Sequence, residues 1–453
     1  MSFVSFSLLV LLPKVSTFFR LRQKHFNTGS DKILIVDGAR QIGKSYIIRH
    51  VGQRLFKNYI ELNMEADKVG ARLFAEAKTT SDFYMALSTI AGDKMGDKAS
   101  TLVFIDEIQA YDHLLTMLKF LRDEDRFNYI ASGSQLGITL KQTSSIPLGS
   151  IRILHMYPMD FEEFLIANGV GSTFIDEMRT RYMRQEALPE ALHNRIFDLF
   201  RKYLIVGGMP DAVNTFVSTQ NIPEIRSIQQ NIHHLYGVDA SRYESVNKRL
   251  RIQRIYEMVP SNMENRKKRI VAQQIEGKTG KHMADYANEF DYLISSGITL
   301  EVKAISKPSF PLIENSGKNL LKLYLNDVGI LTGILYRNNI MPIMSDERST
   351  NLGSVYETVV AQELRAHGFN LFYYDNKING EVDYLIDDYD NMSVAPIEVK
   401  SGKDYNVHSA LNHFLQVEEY NIRKAYVFSN TRETYTTNGI TYLPIYNIMF
   451  LQL

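Results

Sequence analysis

Val36-Asp37-Gly38-Ala39-Arg40-Gln41-Ile42-Gly43-Lys44-Ser45 is the stretch that decides the fold. From Gly38 to Ser45 it satisfies G-x-x-x-x-G-K-[ST] at every fixed position. An apolar run, Ile33-Leu34-Ile35-Val36, leads into it as a buried strand, and a helix bearing Tyr46-Ile47-Ile48 leads out. Two glycines let the backbone curl so that its N–H groups converge on an anion. The new helix adds its positive N-terminal end. The pattern predicts a phosphate cradle of Gly38, Ala39, Arg40, Gln41, Ile42 and Gly43, with Lys44 on the β- and γ-phosphates and Ser45 on Mg²⁺. ATP with Mg²⁺ is the ligand this chemistry implies.

Working outward, Leu102-Val103-Phe104-Ile105-Asp106-Glu107 is an apolar strand that delivers two adjacent acids at its carboxyl end. Ligands bind at that edge of an α/β sheet. Asp106 is expected to hold Mg²⁺ through water or through Ser45, and Glu107 to polarise an attacking water. Ser132, in Ser132-Gly133-Ser134 after a further strand, is the candidate sensor of the γ-phosphate. Strand candidates at 33–36, 58–62, 102–105, 128–131 and 151–156 alternate with helices, expected at about 66–78 and 81–91. That alternation predicts a parallel sheet with helices on both faces over residues 31–165.

Residues 166–243 read as a helical lid broken at Gly207-Gly208-Met209-Pro210. Residues 244–312 read as a winged helix, a helix pair followed by a strand at 299–303 as its wing. Between Arg242 and Lys281 stand eleven Lys or Arg and four acids, a basic stretch suited to phosphate contacts or simply to a solvated face. Residues 318–453 form a mixed α/β domain. In it Glu381-Val382-Asp383-Tyr384-Leu385-Ile386 precedes Pro396-Ile397-Glu398-Val399-Lys400. This fits D-(x)n-(D/E)-x-K, the core of the PD-(D/E)xK nuclease fold. Residues two apart on a strand share a face, so Glu398 and Lys400 are expected beside Asp383. Asp383 and Glu398, with Glu357 from the preceding helix, would hold a hard cation; Lys400 would orient or deprotonate a water. A second copy, Asp291 with Glu301-Val302-Lys303, is set aside because Asp291 falls in a helix that ends at Gly297.

The 453 residues carry 51 basic and 51 acidic side chains and no Cys, with 45% hydrophobic residues. That balance excludes a protein that coats nucleic acid by bulk charge. The missing Cys excludes disulfides, thiolate zinc sites and cysteine nucleophiles, and fits a reducing, cytoplasmic setting. No H-E-x-x-H or similar zinc pattern is present. The apolar run Phe3 to Leu12, within the segment 1–30, falls short of the roughly 20 residues a bilayer span needs, so no membrane is expected. It lacks a preceding basic residue and a clear cleavage site, and reads as a packed N-terminal segment.

From about Asp31 to its end the chain resembles AAA-family ATPases that carry a C-terminal domain of unknown function numbered 4143. The resemblance rests on the phosphate loop and on Phe104-Ile105-Asp106-Glu107-Ile108-Gln109 and Ser132-Gly133-Ser134. It extends through Tyr157-Pro158-Met159-Asp160-Phe161-Glu162-Glu163-Phe164, Gly207-Gly208-Met209-Pro210 and the C-terminal carboxylate–lysine motif. It implies an ATPase core with an extra strand and a catalytic Glu, a helical lid, a winged helix and a restriction-endonuclease-like domain. Many members have an Arg after Leu-x-Gly before the fifth strand. Here Leu148-Gly149 is followed by Ser150, so the source of an arginine finger, Arg40, Arg152 or a partner subunit, stays open, as does the oligomeric state. The sequence reads as a Mg²⁺-dependent ATPase that switches a lid and winged helix, with a nuclease-like domain engaging DNA. Two alternatives stand beside it: an ATP-gated DNA endonuclease, and an ATP-switched signalling or scaffold protein with an inactive nuclease fold.

Overall fold

Strand β1 (Ile33–Asp37) lies at the heart of a five-stranded sheet, flanked by β4 (Asn128–Gly133) and β5 (Ile151–His155). With β2 (Asn58–Asn63) and β3 (Thr101–Asp106) the order is β2-β3-β4-β1-β5, and every pairing is parallel. The computed structural model describes residues 32–134, 136–137, 149–239, 246–265, 268–315, 321–345, 352–376, 380–402 and 408–452. The N-terminal apolar run, Leu148, Tyr243 and Lys267 lie outside them. The chain divides into two units, Met1–Tyr157 with Ser295–Gly297, and Pro158–Ile294 with Ile298–Leu453.

The first unit is the parallel P-loop fold. Alternate residues of a strand face opposite ways, and β1 supplies both faces of the sheet. Ile33 and Ile35 enter one core, with Val103, Ile105, Leu114 and Leu118. Leu34 and Val36 enter the other, with Ile47, Ile48, Val51, Phe104 and Ile130. Each such fully buried aliphatic side chain contributes about 1.5–3 kcal/mol. All five strands stand where the apolar runs put them. One helix is shorter than the pattern suggested: it runs Met64–Val69, not to Lys78. Gly70 follows, and the Asp67 carboxylate accepts the N–H groups of Leu73 at 2.8 Å and Phe74 at 3.1 Å, turning the chain out of the helix.

The second unit opens with helices Phe161–Ala167, Ser172–Arg184, Glu190–Val206, Pro210–Thr219 and Ile222–Asp239, and continues with Val246–Glu264. Its sheet contains β6 (Thr299–Ile305), β7 (Leu321–Leu325), β8 (Phe372–Asn376), β9 (Gly380–Asp388), β10 (Ser393–Val399), β11 (Ala425–Ser429), β12 (Tyr435–Thr437) and β13 (Ile440–Pro444). The order is β12-β13-β11-β10-β9-β8-β6-β7. This corrects the expected wing. The strand at 299–305 runs antiparallel to β7 and parallel to β8, inside the C-terminal sheet. Its row of Leu300, Val302 and Ala304 is buried by that sheet. Among the described residues, no helix is long and apolar enough to cross a membrane.

A buried polar clamp fixes this unit. Asp327 caps helix Val328–Leu335 through the Ile330 N–H at 2.9 Å and takes the Gly208 N–H at 2.6 Å. A Cβ at position 208 would collide with the Met159 carbonyl, so the Gly207-Gly208 turn is a close backbone approach rather than a loose linker. Nearby, Tyr203 donates to the Met159 carbonyl at 2.6 Å and receives the Gln362 amide at 2.7 Å. Glu363, fully buried in helix Gly353–Ala366, accepts the Phe161 N–H at 2.8 Å.

Burial, with Asp160 and Glu163 close by, holds the Glu363 carboxyl well above the usual carboxylate range. Unfolded Glu has a pKa of about 4.3, so above that pH the native state binds a proton that the unfolded chain has lost. Stability therefore falls as pH rises through this window. Glu363→Gln keeps the shape without the titration. In thermal melts from pH 5 to 8.5, the variant gains on the wild type as pH rises; a constant difference would refute the neutral carboxyl.

Candidate active site

The phosphate loop turns from β1 into helix Lys44–Leu55. Gly38, Gln41 and Gly43 hold positive φ angles of 148°, 63° and 93°. Lys44 is buried, and its Nζ donates to the Gly38 and Ala39 carbonyls, each at 2.8 Å. Burial lowers its pKa, partly offset by the charges of Glu107, Asp37 and Asp106.

Asp106 ends β3 under the loop. Its Oδ1 accepts the Ser45 hydroxyl at 3.0 Å and also the Ser132 hydroxyl from β4. Burial raises the Asp106 pKa, and the Ser132 and Ser45 hydrogen bonds offset that rise. A buried carboxylate beside a serine hydroxyl is a pair of hard oxygen donors, and the two fit Mg²⁺. A bound cation would reverse the upward shift.

Glu107 follows in the left-handed region, at φ 52°. Its Oε2 receives the Gln109 amide, the Ser134 hydroxyl at 3.1 Å and the Ser134 N–H at 3.4 Å. The two serines at the end of β4 thus divide the acids, Ser132 on Asp106 and Ser134 on Glu107. Gly133 leaves the room Gln109 occupies, since a Cβ there would collide with the Gln109 amide oxygen. The sequence reading named Ser132 and left Ser134 and Gln109 without a role, although Gln109 lies two residues beyond Glu107. His155 Nδ1 stands 3.1 Å from Asp37 Oδ2, bracing β5 against β1 at the mouth of the loop. Arg40 is partly buried in the loop, and Arg152 is exposed on the edge strand β5.

In the second unit Asp383 lies on β9 and Glu398 on β10. The Val399 N–H donates to Asp383 Oδ2 at 2.8 Å, and Lys400 Nζ reaches Glu398 Oε1 at 2.7 Å. Burial, then Glu398 and Glu357, push the Asp383 carboxyl well above the usual range. Burial likewise raises Glu398, against the pull of Lys400. Glu398 Oε2 is buried with no hydrogen-bond partner among the described residues. Two crowded carboxyls with an orphaned oxygen fit a cation. Glu357 does not join them in that role: its Oε1 is ion-paired with Lys268, and its Oε2 accepts the Tyr324 hydroxyl at 2.9 Å. Among the described residues, no three His, Asp or Glu side chains stand together as a metal-holding group. The basic stretch also differs from expectation. Lys268 and Arg269 point into this cluster, Arg269 to Asp375 at 2.6 Å and Glu381 at 3.4 Å, rather than to solvent.

Comparison with known proteins matches three stretches of the chain. Residues 30–165 match the family described as AAA domain, residues 197–339 a domain of unknown function, DUF8612, and residues 352–448 another, DUF4143. An uncharacterized protein of Haemophilus influenzae is 24% identical over 188 residues, covering 37% of this chain and 45% of that relative's length. Among solved structures, a Walker-type ATPase of Pyrococcus abyssi aligns at 14% identity and TM-score 0.39, over 67% of this chain and 91% of its own. The RuvB Holliday junction branch migration motor of Thermotoga maritima aligns at 14% and 0.30, over 63% and 88%. The Orc1 protein of Aeropyrum pernix, solved in complex with DNA, aligns at 12% and 0.32, over 74% and 92%.

Lys44→Ala removes the ammonium that the loop encloses. Calorimetric titration with ATP is expected to show affinity weakened by about 100-fold, on the order of the 1.5–3 kcal/mol of a hydrogen bond to a charged group; full affinity would sink the phosphate-loop reading.

Proposed function

From a chain that carries an AAA P-loop ATPase domain at residues 30–165 and a DUF4143 domain at 352–448, we propose a Mg²⁺-dependent ATPase whose cycle switches the helical region 166–243 and the basic region 244–312, and whose C-terminal domain engages DNA. The observation that carries the hydrolytic half is the junction of Ser45, Asp106 and Ser132 around one carboxylate oxygen, with Glu107 next in the chain.

In this reading the loop N–H groups and Lys44 hold the β- and γ-phosphates. Ser45 and Asp106 hold Mg²⁺, which when bound neutralises charge on the phosphate oxygens. Ser132 keeps Asp106 aimed at that position. Glu107 is the base. Gln109 and Ser134 fix its Oε2, which leaves Oε1 to take a proton from water as the water oxygen bonds the γ-phosphorus and ADP departs. Positioning and charge stabilisation, rather than covalent chemistry, account for such a step.

The support for DNA is narrower. Arg254 and Lys278 are exposed in the basic region, and phosphate contacts are what exposed cations offer a duplex. The Lys400 contact with Glu398 and the Val399 N–H contact with Asp383 are what support cleavage as the second reading.

Glu107→Gln is expected to retain ATP binding while phosphate release falls by about 10²–10⁴-fold, the range for loss of a general base. Unchanged release would mean that another group takes the proton. Neutralising Arg254 and Lys278 together is expected to weaken DNA binding and to reduce the salt slope by about 0.9 per lost phosphate contact; an unaltered slope in fluorescence anisotropy would remove this face from the reading.

A further inference from the structure

Three residues from late in the chain belong to the phosphate-loop unit. Ser295-Ser296-Gly297 stands at the end of helix Ala287–Ser295, just before β6, and is part of the first unit, although the residues on either side of it fall in the second. Gly297 has φ 73°, in the left-handed region that favours glycine. A Cβ there would lie 3.3 Å from the Ala39 nitrogen and 3.9 Å from the Ala39 Cα and Cβ. Ordinary carbon contacts are about 3.5–4.0 Å, so the backbone at 297 comes as near the loop as a glycine allows. The Ser295 carbonyl likewise stands 3.1 Å from where a Cβ on Gly137 would be.

Ala39, the residue that this approach meets, has a task of its own. It is buried, and its carbonyl accepts Lys44 Nζ at 2.8 Å beside the Gly38 carbonyl. Those two bonds set where the ammonium points. The loop is also supported one residue earlier. The Met156 N–H donates to the Asp37 carbonyl at 2.7 Å, and a Cβ on Gly38 would collide with the Met156 carbonyl. Backbone at Met156 and at Gly297 thus encloses the Asp37-Gly38-Ala39 turn. A turn held in this way cannot yield to a side chain at 297 without disturbing the bonds that it makes to Met156 or to Lys44.

We propose that Gly297 is a positioning residue of the nucleotide site: by closing on Ala39 without a side chain, it keeps the Ala39 carbonyl on Lys44 and the ammonium aimed at the phosphates. The inference rests on the ATPase reading and adds to it a residue far outside the loop motif. The left-handed backbone and the close approach are separate requirements. Asparagine meets the first, because it adopts positive φ more readily than other side chains. It fails the second, because it brings a Cβ.

The test is calorimetric titration of the full chain with ATP in the presence of Mg²⁺, together with thermal melts, on wild type, Gly297→Ala, Gly297→Asn and Gly439→Ala. Gly439 is the control: its φ is 76°, and a Cβ there would meet nothing within 4 Å. Gly439→Ala is expected to melt lower than wild type and to bind ATP equally well. Gly297→Ala is expected to melt lower and also to lose affinity by about 3–10-fold, the scale of one ordinary hydrogen bond. Gly297→Asn is expected to regain part of the melting temperature and none of the affinity. Wild-type affinity in both Gly297 variants, or affinity restored in Gly297→Asn, overturns the proposal and leaves the ATPase reading intact. A wild type that binds no ATP removes that reading, and the positioning role with it. Should Gly297→Ala not fold, Gly297→Asn measured against wild type decides.

Discussion

Asp106 Oδ1 is the point on which the first unit turns. Three segments distant in sequence meet there: the helix after the phosphate loop through Ser45, strand β3 through Asp106 itself, and strand β4 through Ser132. Burying a carboxylate is costly unless hydrogen bonds or a cation satisfy it. Two hydroxyls supply part of that here, while burial pushes its pKa up. A carboxylate short of positive charge, held rigidly at the sheet edge by its own neighbours, is what a divalent cation needs to find. The parallel sheet makes this possible because every strand presents its carboxyl end on the same edge.

The second unit obeys the same rule with different chemistry. Asp327 satisfies a helix terminus and the Gly208 N–H together. Arg226, almost fully buried, spreads one amino group over the Ile205 carbonyl, Gln229 and Thr332. Glu363 is buried, and that burial pushes its carboxyl well above the usual range. Helices 190–206, 222–239 and 328–335 are thus joined by polar contacts that admit few alternative arrangements. The helical region expected as a lid shares one unit with the C-terminal domain.

Much of this was legible in the sequence, and the limits have physical causes. Apolar runs with turn residues at their ends place all five strands of the first sheet, most plainly the inner strands β1, β3 and β4, which are buried on both faces. The phosphate loop and the Asp106-Glu107 pair are local patterns, so spacing alone reveals them. Pairing partners are not local. Strand 299–305 has the length and apolar rhythm of a wing or of a sheet strand, and only the partner at 372–376 distinguishes them. The helix at 64–69 stops on a side-chain choice, Asp67 binding backbone N–H groups, against a propensity that favours continuing. Ser134 and Gln109 escaped notice because their importance lies in reaching Glu107 across strands, a matter of three-dimensional aim.

The basic stretch teaches the sharper lesson about charge. Counting Lys and Arg along residues 242–281 treats them as one surface, but Lys268 and Arg269 are committed to acids some 90 to 110 positions later in the chain. Their charges are neutralised inside the unit, so the cationic face is smaller than its sequence. Conversely, the carboxylates of the C-terminal motif are less available than their spacing suggests, for Glu357 already has its cation. Each half of that exchange hides the other from a reading of either segment alone. A motif states which groups are present, whereas the ion pairs decide which of them remain free to act on something else.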